Sequence, residues 1–303
     1  LNAVLPSAVE HPFALDRQHA YLRWRERKLA TAPRCIEDLI VAVRDPRHLR
    51  DSEVEEIQRL CGVANMAIYA SPLAGVADKD LVRCLGARLG LARLQANPLA
   101  DADGISALET APAKSARGYI PYSNRRLLWH TDGYYNSPAQ RIRAFILHCV
   151  RPAASGGENH LLDHEIAYIL LRDADPAYVN ALSAPDAMTI PANAGEGGND
   201  AEFRPAQTGP VFSADGRALH MRYTARTRSI EWRADETTRA AVQFLNRVLA
   251  AASPYVFSVR LAGGQGLICN NVLHNRSAFT DDPASSAGRL VYRARYADRL
   301  ATA

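Results

Sequence analysis

The sequence predicts a mixed α+β, mainly β protein: a barrel or sandwich of short strands, with helices packed at its N-terminal side and inserted between strands. Three observations carry this. Apolar residues recur at three- and four-residue spacing up to about residue 95. From Gly118 onward, short apolar runs bounded by Gly, Pro and Asp follow one another. Only a few helical stretches interrupt those runs, without the regular strand–helix alternation of a doubly wound sheet.

Taken in order, Asp16 to Ala30, Ser52 to Ala64 and Asp78 to Leu89 read as helices, with Asp51-Ser52 and Asp78 as caps. Met66 to Tyr69 reads as a strand, and Ala96 to Arg117 as irregular covering structure rich in Ala, Asp, Gly and Pro. Leu127-Leu128-Trp129 is strand-like, and Arg141 to Cys149 is a strong strand stopped by Arg151-Pro152 and Gly156-Gly157. Asp163 to Asp173 and Pro176 to Ser183 read as short helices. Pro210 to Ser213, Asp215-Gly216 and Ala218 to Tyr223 form a hairpin signal in which Asp-Gly supplies the turn. Asp235 to Ala252 is the clearest helix, its apolar face formed by Ala240, Ala241, Phe244, Leu245 and Val248. Tyr255 to Val259, Gly266 to Cys269 and Leu290 to Tyr292 close the chain as strands.

With 303 residues, no internal repeat and no low-complexity linker, the expectation is a single domain over 1–303. Residues 1–95 then form a mostly helical part packed on a core spanning 118–298. A net charge of +4 with arginines scattered along the chain gives no basic stripe, which argues against a nucleic-acid partner. No apolar run reaches the roughly 18 residues that cross a bilayer, and no signal peptide is visible after Leu1, so a membrane partner is not expected. The five cysteines are odd in number and lack CxxC spacing. Cys149 and Cys269, in apolar runs, read as small buried hydrophobes, and a reducing, cytoplasmic setting is the expectation. A small-molecule substrate is the expected partner, and a homo-oligomer is compatible with the sequence.

The chemistry concentrates at Leu127-Leu128-Trp129-His130-Thr131-Asp132-Gly133. In an extended strand His130 and Asp132 share a face. With His274 from a distant strand they would make two imidazoles and one carboxylate, a set that leaves three positions open on an octahedral metal, as in non-haem Fe(II) oxygenases. His-x-Asp alone is weak in a chain with nine histidines, and a strand-end histidine beside a turn aspartate is its bland reading. Context strengthens it: His274 follows the Leu267 strand, Arg289 comes fifteen residues later, and Arg293 four after that. His148, His160, His164 and His220 read as strand or loop histidines.

His130-x-Asp132, Ser155-Gly156-Gly157-Glu158, His274 and Arg289 occur in the order found in the TauD/TfdA family of Fe(II)/2-oxoglutarate-dependent dioxygenases, which also contains γ-butyrobetaine hydroxylases. The chain resembles that family over roughly residues 78–298. The resemblance implies a double-stranded β-helix (jelly roll) core. It implies Fe(II) held by His130, Asp132 and His274, with 2-oxoglutarate and O2 as cosubstrates. It further implies hydroxylation of a small polar or zwitterionic substrate, with 2-oxoglutarate decarboxylated to succinate and CO2.

In the same family Arg289 would hold the far carboxylate of 2-oxoglutarate, a task that suits a bidentate guanidinium. Asn159 stands where the family usually has a threonine beside that carboxylate, and its amide can donate instead. Arg293 matches the arginine that grips an anionic substrate in taurine-type members; a four-residue step keeps it on the Arg289 side of a regular strand, and pairing with an acidic neighbour is the competing reading. Trp129, Tyr134, Tyr135 and Tyr223 are candidate substrate contacts by cation–π attraction, or else packing residues. Retention of Asp132 argues against a halogenase. The alternative from another class is a non-catalytic, metal-binding jelly roll used for binding or sensing.

Overall fold

A computed structural model describes residues 12–95, 101, 103–110, 120–193, 204–227, 230–284 and 287–301. Its helices are α1 (Gln18–Ala30), α2 (Asp51–Ala64), α3 (Asp80–Arg88), α4 (His164–Ala174), α5 (Pro176–Leu182) and α6 (Glu236–Ala250). Ten strands build two facing sheets. In chain order they are β1 (Ile40–Ala42), β2 (Met66–Ala70), β3 (Ser106–Leu108), β4 (Leu127–His130) and β5 (Ala144–Arg151). They continue with β6 (Asn159–Leu162), β7 (Val256–Val259), β8 (Gln265–Cys269), β9 (Leu273–Arg276) and β10 (Leu290–Tyr296).

The larger sheet runs β1-β2-β8-β5-β10-β3, and the smaller β7-β6-β9-β4. Only β1 and β2 pair in parallel; the other neighbours in both sheets are antiparallel. Side chains alternate across each strand, and the alternation assigns three apolar layers. Met66, Ile68, Phe145, Leu147, Leu267 and Val291 meet Leu161 and Phe257 between the sheets. The other face of the large sheet, Ile146, Ile268 and Ala294 among it, is covered by Ile57, Leu60, Val82 and Leu85 of α2 and α3. The outer face of the small sheet, with Trp129, Leu162 and Leu273, is covered by Ile166, Ile169, Ala241 and Leu245 of α4 and α6. Helix, sheet, sheet, helix is the jelly-roll arrangement expected.

One row across the large sheet shows how local chemistry sets a contact. Tyr69 pairs with Gly266, Gly266 with His148, and His148 with Tyr292. A Cβ on Gly266 would stand 2.3 Å from the Tyr69 ring and from the Leu147 carbonyl oxygen. The missing side chain lets the Tyr69 hydroxyl cross the row and share a hydrogen bond with His148 Nδ1 at 2.8 Å.

The structure adjusts several expectations. The 96–117 covering segment lies mostly outside the described residues, but its described part contains strand β3. Strand β5 starts at Ala144 rather than Arg141, because Pro138–Gln140 forms a 3-10 turn and the Ile142 carbonyl is taken by an asparagine side chain. In the hairpin, Asp215 still pairs with Ala218, so Gly216-Arg217 makes the turn. Gly216 there has φ +63°, as a first turn residue of positive φ requires. Helix α2 is capped by Glu53, whose carboxylate accepts from Arg50 N at 2.8 Å, instead of by Asp51-Ser52. The buried face of α6 is Thr238, Ala241, Leu245 and Leu249, with Phe244 and Val248 at its margin. All five cysteines are free. Among the described residues no helix is long and apolar enough to cross a membrane.

Candidate active site

Strand β4 presents Trp129 to the outer core and His130 to the space between the sheets, as period-two alternation dictates. His130 pairs directly with His274 on β9, and the two rings lie 4.1 Å apart. Each ring is anchored in the same way. His130 Nδ1 stands 2.8 Å from the Leu128 carbonyl oxygen, and His274 Nδ1 2.9 Å from that of Val272, in both cases two residues back. A carbonyl can only accept, so both Nδ1 atoms carry the proton and both Nε2 lone pairs are free. Those Nε2 atoms point at one carboxylate oxygen: Asp132 Oδ1 is 3.6 Å from His130 and 4.0 Å from His274.

Asp132 lies past the strand, at the start of the turn through Gly133, so the extended run expected from sequence ends two residues before it. Its position comes from Asn271, which has φ 55°. The Asn271 side chain accepts from Asp132 N at 2.7 Å and donates to the carbonyls of Asp132 at 2.9 Å and Ile142 at 2.8 Å. Gly133 has φ +70°, and a Cβ there would run to 2.5 Å from Ile142. Asp132 is buried, which by itself raises a carboxyl pKa. Arg293, the His130 contact, His274 and Arg295 together outweigh this and hold the group well below the usual carboxylate range. Burial and repulsion from His130 push His274 down to about 3.

Near neutral pH the cluster therefore offers a charged carboxylate and a neutral His274. The donor atoms of His130, Asp132 and His274 all lie within 4.8 Å of one another. Asp132 Oδ2 is buried and accepts no hydrogen bond. Two free imidazole nitrogens and an under-used carboxylate fit a divalent cation of intermediate softness.

A second convergence surrounds Arg289. Its buried guanidinium shares a pocket of about 310 Å³, open mouth included, with Asn159, Gly156, Gly157 and Leu147. Gly156 and Gly157 have φ of +70° and +80°, and a Cβ on Gly156 would meet the Ala278 carbonyl oxygen at 2.2 Å. The Gly-Gly pair is thus required for the backbone to pass beside Ala278 and for the pocket wall to stay thin. Arg289 lies over the Phe279 ring, 5.1 Å from its centroid. Its side chain has no hydrogen-bond or ion-pair partner among the described residues.

Other candidates divide. Arg293 is 8% exposed and sits on Asp132, its Nη1 3.4 Å from each carboxylate oxygen. The acidic-neighbour reading of Arg293 is the one its contacts match. The register irregularity near Leu290 adds Val150 on β5 instead of a residue on β10, so the Arg289–Arg293 parity is kept. Tyr134 meets the His130 ring edge-to-face at 6.4 Å and packs on Tyr135 at 5.1 Å.

Trp129 and Tyr223 are not brought to the cluster. Trp129 Nε1 donates to the Leu249 carbonyl, and the Tyr223 hydroxyl donates to Asn246, both within the outer core. Tyr223 contributes instead through its backbone, which pairs with Thr131. Among the described residues His148, His160, His164 and His220 lie outside this cluster. Sequence reading missed Asn271 and Arg295. The signal for Arg295 was present in Tyr292-Arg293-Ala294-Arg295-Tyr296, where period two puts both arginines on one face.

The family model described as taurine catabolism dioxygenase TauD, TfdA family matches residues 40–295. The chain belongs to this family of dioxygenases. The chain is similar to a uridine-5'-phosphate dioxygenase of an Amycolatopsis species, 30% identical over 88% of this chain and 94% of that protein. A uridine-5'-phosphate dioxygenase of a Streptomyces species is 32% identical over 51% of this chain and 56% of that protein. Among solved structures, asparagine oxygenase with Fe(II), 2S,3S-3-hydroxyasparagine and succinate superposes with a TM-score of 0.58 at 14% identity, covering 98% of this chain and 87% of that one. The non-heme iron oxygenase OrfP with Fe, succinate and (3S)-hydroxy-L-Arg gives 0.59 at 14% identity, covering 84% and 86%. These two establish a shared fold.

Proposed function

We propose that this chain is an Fe(II)- and 2-oxoglutarate-dependent hydroxylase whose iron is held by His130, Asp132 and His274 in a single catalytic domain. One observation carries the reading: both imidazoles are locked with Nε2 free and aimed at the same carboxylate. Bound iron supplies dioxygen activation, coupled to decarboxylation of 2-oxoglutarate to succinate and carbon dioxide. The residues do the rest. Arg293 keeps Asp132 ionised and oriented, and the backbone carbonyls of Leu128 and Val272 hold the rings. Arg289, with Asn159 beside it, binds the far carboxylate of 2-oxoglutarate, an assignment supported by a buried guanidinium with no hydrogen-bond or ion-pair partner among the described residues. Phe145, 4.8 Å from the His274 ring, helps keep water out.

For the substrate we favour a pyrimidine nucleoside 5′-monophosphate, supported by the relative that is 30% identical over 88% of this chain. The small polar or zwitterionic substrate implied by the family resemblance has only fold neighbours of 14% identity beside it. A non-catalytic binding role fits poorly, since a structural metal site is normally closed to further ligands. The free thiols suit a reducing compartment, and we place the enzyme in the cytoplasm.

The test is anaerobic addition of Fe(II) and 2-oxoglutarate to metal-free protein, read as the weak visible charge-transfer band of the chelate. The band is expected in the wild type, absent in Asp132→Ala, and in Arg289→Ala to need at least about 10-fold more 2-oxoglutarate. Folded protein that binds iron but shows no band would overturn the assignment.

A further inference from the structure

We infer that Arg295 is the anion receptor of the substrate pocket and that it takes the 5′-phosphate of the nucleotide, an inference resting on the nucleotide reading above. Five arginines are buried in the described structure: Arg172, Arg276, Arg289, Arg293 and Arg295. Three are satisfied by the protein. Arg172 donates to the carbonyls of Pro12 and Ala14, Arg276 to those of Ser123 and Arg125, and Arg293 to Asp132. Two are not. Arg289 has been assigned to 2-oxoglutarate. Arg295 is 3% exposed, and its one side-chain hydrogen bond among the described residues goes to a neutral acceptor, the Tyr135 hydroxyl, at 3.2 Å. Among the described residues no carboxylate forms an ion pair with this guanidinium, which Asp132 reaches only through space, so a ligand anion in direct contact would satisfy it.

Its place in the fold puts that ligand beside the metal cluster. Arg295 and Arg293 project from the same face of β10, while Tyr292, Ala294 and Tyr296 enter the helix-covered core. Tyr135 links Arg295 to Tyr134, and Tyr134 packs against His130. The Tyr135 hydroxyl accepts from Arg295 and so keeps its own proton to donate to a phosphate oxygen. The nearest alternative, Arg222, already donates to the carbonyls of Tyr134, Met188 and Gln207.

Charge selects the kind of anion. Asp132 and the C1-carboxylate of 2-oxoglutarate together neutralise a divalent iron, and Arg289 neutralises the other carboxylate. With Arg293 sharing Asp132 with the iron, the metal and the guanidinium groups of Arg289, Arg293 and Arg295 exceed Asp132 and 2-oxoglutarate by two positive charges in a buried site. A phosphate monoester carries close to two negative charges at neutral pH and cancels them. A zwitterionic amino acid brings no net charge and leaves the imbalance standing. An Arg fork is also the geometry that phosphate accepts in bidentate fashion.

The test uses protein loaded anaerobically with Fe(II) and 2-oxoglutarate, titrated calorimetrically with uridine 5′-phosphate and with uridine. Wild type should prefer the nucleotide by about 100-fold or more. Arg295→Gln should lose that preference while binding uridine and 2-oxoglutarate as wild type does, and Arg295→Lys should recover part of it. Unchanged 2-oxoglutarate affinity also reports that the variant is folded; should Arg295→Gln fail to fold, the decision passes to the loss seen in Arg295→Lys. A wild-type preference that survives in both variants overturns the inference and leaves the nucleotide reading intact. Loss of 2-oxoglutarate affinity instead would mean that Arg295 serves the cosubstrate, which also overturns it. A loaded wild type that ignores uridine 5′-phosphate overturns the nucleotide reading and this inference with it.

Discussion

Asn271 occupies the left-handed backbone region at φ 55° and commits its whole amide to a loop far away in sequence. Asn tolerates that conformation better than most chiral residues, so one side chain can both turn the chain before β9 and hold Asp132. Asn271→Ala removes three hydrogen bonds from buried backbone groups. It should lower stability by about 2–4 kcal/mol in urea unfolding and weaken iron affinity about 10- to 100-fold in equilibrium dialysis. Asn271→Gly keeps the backbone conformation and should still lose iron affinity; wild-type affinity in that variant would remove the clamp role. His130 and Asp132 were legible because they are neighbours in the chain. Asn271 was not, because its partner is a peptide group 139 residues away.

At the scale of elements, β10 shows what alternation alone conveys. Its tyrosine and alanine side pairs with the helical layer, and its arginine side faces the site, so one seven-residue strand serves packing and chemistry together. Helix α1 illustrates the opposite case. Its pattern announced a helix, but its docking depends on Lys28, buried at 5% exposure and paired with Asp163 at 2.6 Å and Glu165 at 2.5 Å. These carboxylates stand at the cap and first turn of α4, and Asp163 also accepts from Asn65 at 2.9 Å. Despite burial, the two carboxylates raise the Lys28 pKa, and Lys28 leads the charges that lower that of Glu165. Lys28→Met leaves two buried acids without their cation and should cost about 3–5 kcal/mol in denaturant unfolding. A loss under about 1 kcal/mol would mean that water or a neighbouring base already compensates them.

Across the whole molecule, two apolar layers outside the sheets and one between them leave several histidines buried and neutral. Burial pushes His148 down to about 4, and it lowers His164, His220 and His274 as well. An unfolded histidine titrates near 6.5. Between that value and about 4, the unfolded chain binds a proton that folded His148 refuses. Stability from this group is therefore complete above pH 6.5 and lost as pH falls toward 4, by about 3 kcal/mol in all. His148→Gln keeps a polar group beside Tyr69 and removes the titration, so the acid limb of its stability–pH curve should be shallower than that of wild type. Equal slopes would show that the other buried histidines dominate acid lability.

Periodicity, glycine placement and the order of His130, Asp132, Gly156-Gly157, His274 and Arg289 determined the family, the jelly-roll core and the candidate ligands. All of these are carried by short contiguous motifs. Tertiary structure decided what those motifs touch. Of the two readings of Arg293 it favoured pairing with Asp132, it withdrew Trp129 and Tyr223 into the outer core, and it left Arg295 without an ion pair among the described residues. The physical reason is range: strand period and turn preference act over a few residues, whereas ion pairing and burial depend on which distant strands become neighbours.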